Sequence, residues 1–288
     1  MGDPSVRKAG GPGRPDRVSR LTEEALRALS RAKSPEAVGA ALELLPDGDP
    51  RARQGLLERY RSLASDARRP DSGCQLRAAL LRGLRGRALR SEVPLLEEAL
   101  WTYEVRPGDE VAGGLRAAAL LVLADLDEAL AAFHAVRLLG DRYTSAMSGE
   151  PAVTAARLLG SQGHTLVLYQ RLLTSELQPE VAAACFQSLA EAPASLLSAL
   201  AEERWRHCTG AALLALVELL LAHPEAERMA PTLSAMVEES DDLDVVRYAA
   251  TAAVAGRKAP LIEALRARAS LPGERGDLVR EALTLLPG

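Results

Sequence analysis

An apolar residue followed by apolar or small residues three, four and seven positions later recurs along this chain at intervals of roughly 30 to 40 residues. The clearest copy is Val246, Ala249, Ala250 and Ala253, and other copies begin at Leu76, Leu115, Ala152, Val181, Leu213 and Val279. Offsets of three, four and seven share one face of a helix. A repeat of this length is one supersecondary unit that buries its apolar face only against its neighbours. The spacing therefore predicts stacked helical hairpins, with a regular C-terminal array near 33 residues and a looser N-terminal part.

Composition agrees with a helical core packed through small side chains. Of 288 residues 48% are hydrophobic, only 3% are aromatic, and alanine and leucine make up about a third. No convincing period-2 run marks a strand. Helix-start signals recur at Ser34-Pro35, Asp49-Pro50, Ser91, Asp109, Glu150-Pro151, Gln178-Pro179, His223-Pro224 and Asp241 or Asp242. Gly86, Gly140, Gly160 and Gly256 read as stops. These signals predict roughly 14 to 16 helices of about 11 to 16 residues, with antiparallel neighbours. The segment 141–149 is expected to be a surface connection. The segment 211–222, apolar except for Glu218, is expected to be a helix covered on nearly all sides.

The residues around the clearest copy, Asp244, Val245, Val246 and Arg247 followed by spaced alanines up to Gly256, resemble the second helix of HEAT repeats, particularly the bilin-lyase-like type. Asp277, Leu278, Val279 and Arg280 repeat the acidic and Val-Arg parts, and Leu76-Arg77 and Leu115-Arg116 match in part. The resemblance covers residues 72–288. It implies an all-α, right-handed α-solenoid of about seven antiparallel hairpins over residues 19–288; residues 1–18, with Gly10, Gly11, Pro12, Gly13, Arg14 and Pro15, are expected from composition to be a disordered basic tail. It also implies a scaffold or adaptor, a bilin-attachment factor or, in one branch, a DNA glycosylase. In the repeat, Arg247 is expected to point away from the apolar face and bond to an acidic group of a neighbouring repeat.

Net charge is −4 but unevenly spread. Residues 1–90 carry about eight excess positive charges and the remainder about twelve negative ones, an asymmetry that can guide association. Within the solenoid this separates an arginine-rich part, 19–90, from an acidic part, 91–288. Arg51, Arg53, Arg59, Arg61, Arg68, Arg69, Arg77, Arg82, Arg85, Arg87 and Arg90 cluster there, and a shared face of Arg77, Arg82 and Arg85 could contact phosphates. Trp101, Tyr103 and Glu104, with Arg106 nearby, form the one compact aromatic–acid group that a glycosylase of this fold would want. The acidic balance and scarcity of lysine weigh against nucleic acid.

Catalytic signatures are missing from the sequence: no C-x-x-C, H-E-x-x-H or G-x-S-x-G occurs, and no glycine-rich phosphate loop. His207 and Cys208 are adjacent, which makes joint ligation on a helix awkward. The absence of a His-Glu dipeptide argues against iron-binding HEAT hydroxylases. Cys74, Cys185 and Cys208 suit a reducing compartment, and Cys185 shares the apolar face of Val181. Both Trp101 and Trp205 are expected to pack between repeats.

The sequence thus predicts a cytoplasmic, non-catalytic adaptor or scaffold that takes a protein or peptide on a concave face, without metal, cofactor or membrane insertion. Nucleic-acid binding is the alternative, and salt-sensitive self-association is expected from the charge split. The candidate binding residues are Arg77, Arg82, Arg85, Trp101, Tyr103, Arg106 and Arg116.

Overall fold

A computed structural model describes residues 14–46, 48–66, 71, 73–174, 176–270 and 272–286. The expected tail falls outside the described residues up to position 13, but α1 (Arg14–Ser30) already begins within the span assigned to it. Arg68 and Arg69 also lie outside the described residues. Among those described there are sixteen α-helices and a single two-stranded hairpin, so the protein is all-helical to within four strand residues. The chain divides into two compact units, Met1–Ala131 and Ala132–Gly288.

In the first unit α1 packs on α2 (Pro35–Glu43) and α3 (Pro50–Ser65), and both of these pack on α4 (Gln75–Gly83). A 3-10 turn, Arg90–Glu92, leads into α5 (Val93–Leu100). The hairpin of β1 (Val105–Arg106) and β2 (Asp109–Glu110) follows, and α6 (Gly113–Leu126) then packs on both α4 and α5. Ser34 and Asp49 cap their helices as expected, accepting from the N–H groups of Ala37 and Arg51. Ser91 does not cap a helix. Its place is taken by Glu92, whose carboxylate folds back to accept the N–H of Leu89. Nor does Asp109 start one, because it lies in β2.

The helix α7 (Glu128–Leu139) runs across the division between the units. In the second unit α8 (Ala152–Ser161), α10 (Pro179–Gln187), α12 (Gly210–Ala222), α14 (Leu243–Ala255) and α16 (Glu274–Leu283) form one row, each packing on the next. The intervening α9 (Thr165–Thr174), α11 (Ala194–Arg204), α13 (Ala230–Glu239) and α15 (Ala259–Arg268) pack on one another in a second row. The apolar stripe sits in the first row: Val246, Ala249, Ala250 and Ala253 are buried, as are all residues from Val181 to Phe186, Cys185 included. The apolar helix α12 is covered nearly all round. Small residues let these helices approach closely. A Cβ on Gly160 would lie 2.3 Å from Ser188 Oγ, so this glycine is a contact between α8 and the end of α10 rather than a stop. At the end of α14 the left-handed residue is Arg257, with φ of 51°, and not Gly256. Segment 141–149 is a connection without helix or strand, and α8 starts at Ala152 after Pro151 rather than with it.

Candidate functional site

The helix α5 ends at Trp101, where Thr102 Oγ1 donates back to the Glu98 carbonyl. From there the chain runs extended into a tight hairpin. Pro107 restricts φ, and Gly108 supplies φ of +92°. Side chains alternate along the extended stretch. Trp101, Tyr103 and Val105 are 58%, 37% and 70% exposed, whereas Thr102, Glu104 and Arg106 are half-buried. The result is an outward stripe of three large apolar side chains.

Beneath the stripe lies an ionic lattice. Arg116, on α6 and 0% exposed, donates through Nη2 to Glu110 Oε2 at 2.8 Å and through Nη1 to the Thr102 carbonyl at 2.9 Å. Its guanidinium also lies 4.1 Å from the Tyr103 ring centroid. Glu110 Oε1 accepts the backbone N–H groups of Glu104 and Ala112 at 3.0 and 2.9 Å. Burial pushes the Glu110 carboxyl upward, but the Arg116 hydrogen bond and these two N–H groups outweigh it and hold its pKa below the ordinary value. One residue, Glu110, thus ties together both sides of the hairpin and the start of α6.

Arg77, on α4, forms the second half of the lattice. It donates to Asp71 Oδ2 at 3.2 Å, to Cys74 Sγ at 3.0 Å and to Glu104 Oε1 at 2.5 Å. Asp71 also accepts the N–H groups of Leu76 and Arg77 and so anchors the start of α4. Through Glu104, α4 is bonded to the extended segment. Among the described residues Glu104 Oε2 and Arg106 Nη2 are buried without a hydrogen-bond partner.

The structure therefore brings together five of the seven candidate residues: Arg77, Trp101, Tyr103, Arg106 and Arg116. Their roles differ from expectation. Arg77 and Arg116 are buried and ion-paired inside the protein, so neither presents a guanidinium to phosphates. Arg85 pairs with Asp125 of α6 at 2.8 Å, and Arg82 is exposed on α4. Of the anticipated stripe, Arg77 is thus withdrawn into the protein, while Arg82 and Arg85 both stay exposed on α4 and just beyond it. Other arginines of the cluster are also engaged: Arg53 with Glu92, Arg51 with Glu23 and Asp49, Arg59 with the Ala32 carbonyl. Trp101 does not pack between helices, whereas Trp205 does, at 4% exposure with Arg206 stacked 4.3 Å from its ring. Contrary to expectation, Arg247 bonds to Asp244 of its own helix in solvent rather than to a neighbouring repeat.

The hairpin was missed in the sequence, although the signal is present: apolar and polar residues alternate from Trp101 to Arg106 and Pro107-Gly108 follows. The stretch is short enough to hide between two strong helices.

The chemistry open to this lattice is positional. Burial pushes the Cys74 thiol up to about 12, and Tyr60 likewise to about 12, so both stay protonated at neutral pH. Cys185 is pushed up to about 12 and Cys208 is raised, again by burial. Among the described residues no three His, Cys, Asp or Glu side chains converge as a metal site, and no helix is long and apolar enough to cross a membrane. Comparison with protein-family models, curated proteins and solved structures finds no match for this chain.

Proposed function

We propose that this protein is a non-catalytic cytoplasmic adaptor or scaffold, a HEAT-like right-handed α-solenoid of about seven hairpins whose concave face takes a protein or peptide partner. The observation that carries this reading is the Trp101–Tyr103–Val105 stripe, held outward on an extended segment by a buried ionic lattice. Tryptophan and tyrosine are enriched among the few residues that dominate binding energy at protein interfaces. Here the backbone beneath them is already ordered by Glu110, Arg116 and Arg77. Binding then costs little further conformational entropy. The two rows of helices in the second unit, each helix packed on the next but one, support the repeat-array part. The internal pairing of Arg77 and Arg116 takes both away from any phosphate-contacting surface, which weighs against the nucleic-acid alternative.

Photocrosslinking from a benzophenone side chain at position 105, in the protein's own cells, tests the reading. A discrete protein adduct is expected. Trp101→Ala should weaken binding of the captured partner about thirtyfold, while Leu44→Ala, at another exposed apolar position, leaves it unchanged. A partner indifferent to Trp101→Ala, or no adduct dependent on position 105, would remove the reading.

A further inference from the structure

The hairpin that carries Val105 has two edges, and they differ. β1 and β2 form a two-stranded sheet, with Val105 opposite Glu110 and Arg106 opposite Asp109. The N–H of Val111 donates to the Glu104 carbonyl at 2.9 Å. Hydrogen-bonded and non-bonded pairs alternate along an antiparallel ladder, so Val105 and Glu110 form a pair of the second kind. Their N–H and C=O groups point outward, each to its own edge of the hairpin. On the β2 edge the Glu110 N–H donates to Asp109 Oδ1 at 3.0 Å. On the β1 edge, among the described residues, no partner meets the N–H and C=O of Val105, and the residue is 70% exposed.

The buried lattice holds this strand from its other side. The Thr102 carbonyl accepts from Arg116, the Glu104 N–H donates to Glu110, and the Glu104 carbonyl accepts from Val111. Even-numbered residues thus face inward, and Val105 opens the opposite edge. Trp101, Tyr103 and Val105 project to one face of the segment, so a strand laid along that edge sets its own alternate side chains beside them at cross-strand distance. A second copy of the hairpin fits poorly there. Antiparallel pairing of two β1 strands about Val105 puts Tyr103 opposite Pro107, which has no N–H, and Trp101 opposite the charged Asp109. Among the described residues, the exposed charged side chains nearest the stripe in the chain are Glu98 and Asp109, both acidic, while Arg106 is half-buried. Basic residues at the ends of an incoming strand match them.

We propose that the β1 edge takes an extended strand of the partner protein, which pairs its backbone with Val105 and lays alternate apolar side chains beside Tyr103 and Trp101. The partner segment is a strand with lysine or arginine at its ends, not a helix. An open edge is a template for such pairing, and here the lattice has already ordered it. This inference deepens the adaptor reading of the same surface and rests on it. That reading needs Trp101 as a contact; this one needs backbone hydrogen bonds at Val105.

Amide exchange and peptide binding with the full-length protein test it. The probe is a labelled peptide of alternating threonine and valine with a lysine at each end. At saturation it should slow exchange of the Val105 amide about tenfold or more, read by NMR. A single N-methyl group moved along the peptide should give an alternating pattern: at residues of one parity binding weakens about tenfold, and at the intervening residues less than about twofold. Val105→Pro, which removes the N–H, should abolish binding while the thermal melt is retained; if that variant does not fold, the N-methyl series decides, because it leaves the protein untouched. No binding of the probe, an N-methyl series without alternation, or unchanged exchange at Val105 overturns the inference. So does a dimer that Val105→Pro dissolves, which gives the edge to a second copy. The partner captured through position 105 separates the two readings. Absence of the alternation while Trp101→Ala still weakens that partner ends the strand pairing alone; a partner indifferent to Trp101→Ala ends the adaptor reading, and this inference with it.

Discussion

In four of the seven copies an arginine follows the first apolar residue, and it meets two fates that go with the residue three positions earlier. Arg247 and Arg280 have Asp244 and Asp277 at that position and pair with them in solvent on their own helices. Arg77 and Arg116 have Cys74 and Gly113 there instead. With no acid at that position, they turn inward, Arg77 to Asp71 and Glu104 and Arg116 to Glu110. Breaking a buried pair leaves a charge without compensation, at a cost of about 3–5 kcal/mol. Arg116→Met should therefore lower unfolding free energy by about that amount, and Arg116→Met with Glu110→Gln should recover part of it, as read by urea denaturation. The pair also has a pH signature. The folded-state pKa of Glu110 lies below its ordinary 4.5, so its contribution is present above the unfolded value and fades as pH falls through the folded one. The stability difference between wild type and Glu110→Gln should be level above about pH 5.5 and close below it. A difference that grows on acidification would contradict the assignment.

At the scale of elements, helix starts were largely legible. Ser34, Asp49 and Asp242 cap their helices because an N-cap needs only a short oxygen-bearing side chain and its own following N–H groups. Where a start or stop depends on distant groups, the pattern fails. Glu92 displaces Ser91, and Gly160, which reads as a stop, is a contact between helices. That contact gives a sharp test. A Cβ at position 160 would fall 2.4 Å from the Ser188 Cβ, so Gly160→Ala should destabilise the second unit by about 1–3 kcal/mol. Ser188→Gly in the same chain removes the opposing atoms and should restore most of the loss. Additive effects in the double-mutant cycle would mean that α8 and α10 do not meet there.

Across the whole molecule, the charge split between residues 1–90 and the remainder survives as a property of the sequence, although several arginines of the first part are neutralised by internal carboxylates. Opposite charge at the two ends of the chain favours head-to-tail association, which need not close into a ring. Light scattering should show a mass that rises as salt is lowered from about 0.5 M to 0.02 M, because the Debye length lengthens over that range. A monomer at low salt rules the association out.

By itself the sequence determined the helical class and the small, apolar faces that pack helix on helix, since both follow from periodicity over a few turns. It also marked Arg77, Trp101, Tyr103 and Arg116 as candidate binding residues. Only the tertiary structure decided what they do. Whether an arginine meets solvent or a buried carboxylate depends on partners such as Glu104, brought 27 positions along the chain to Arg77. Whether a tryptophan packs or protrudes depends on which helix lies across from it: Trp205 is covered and Trp101 is not.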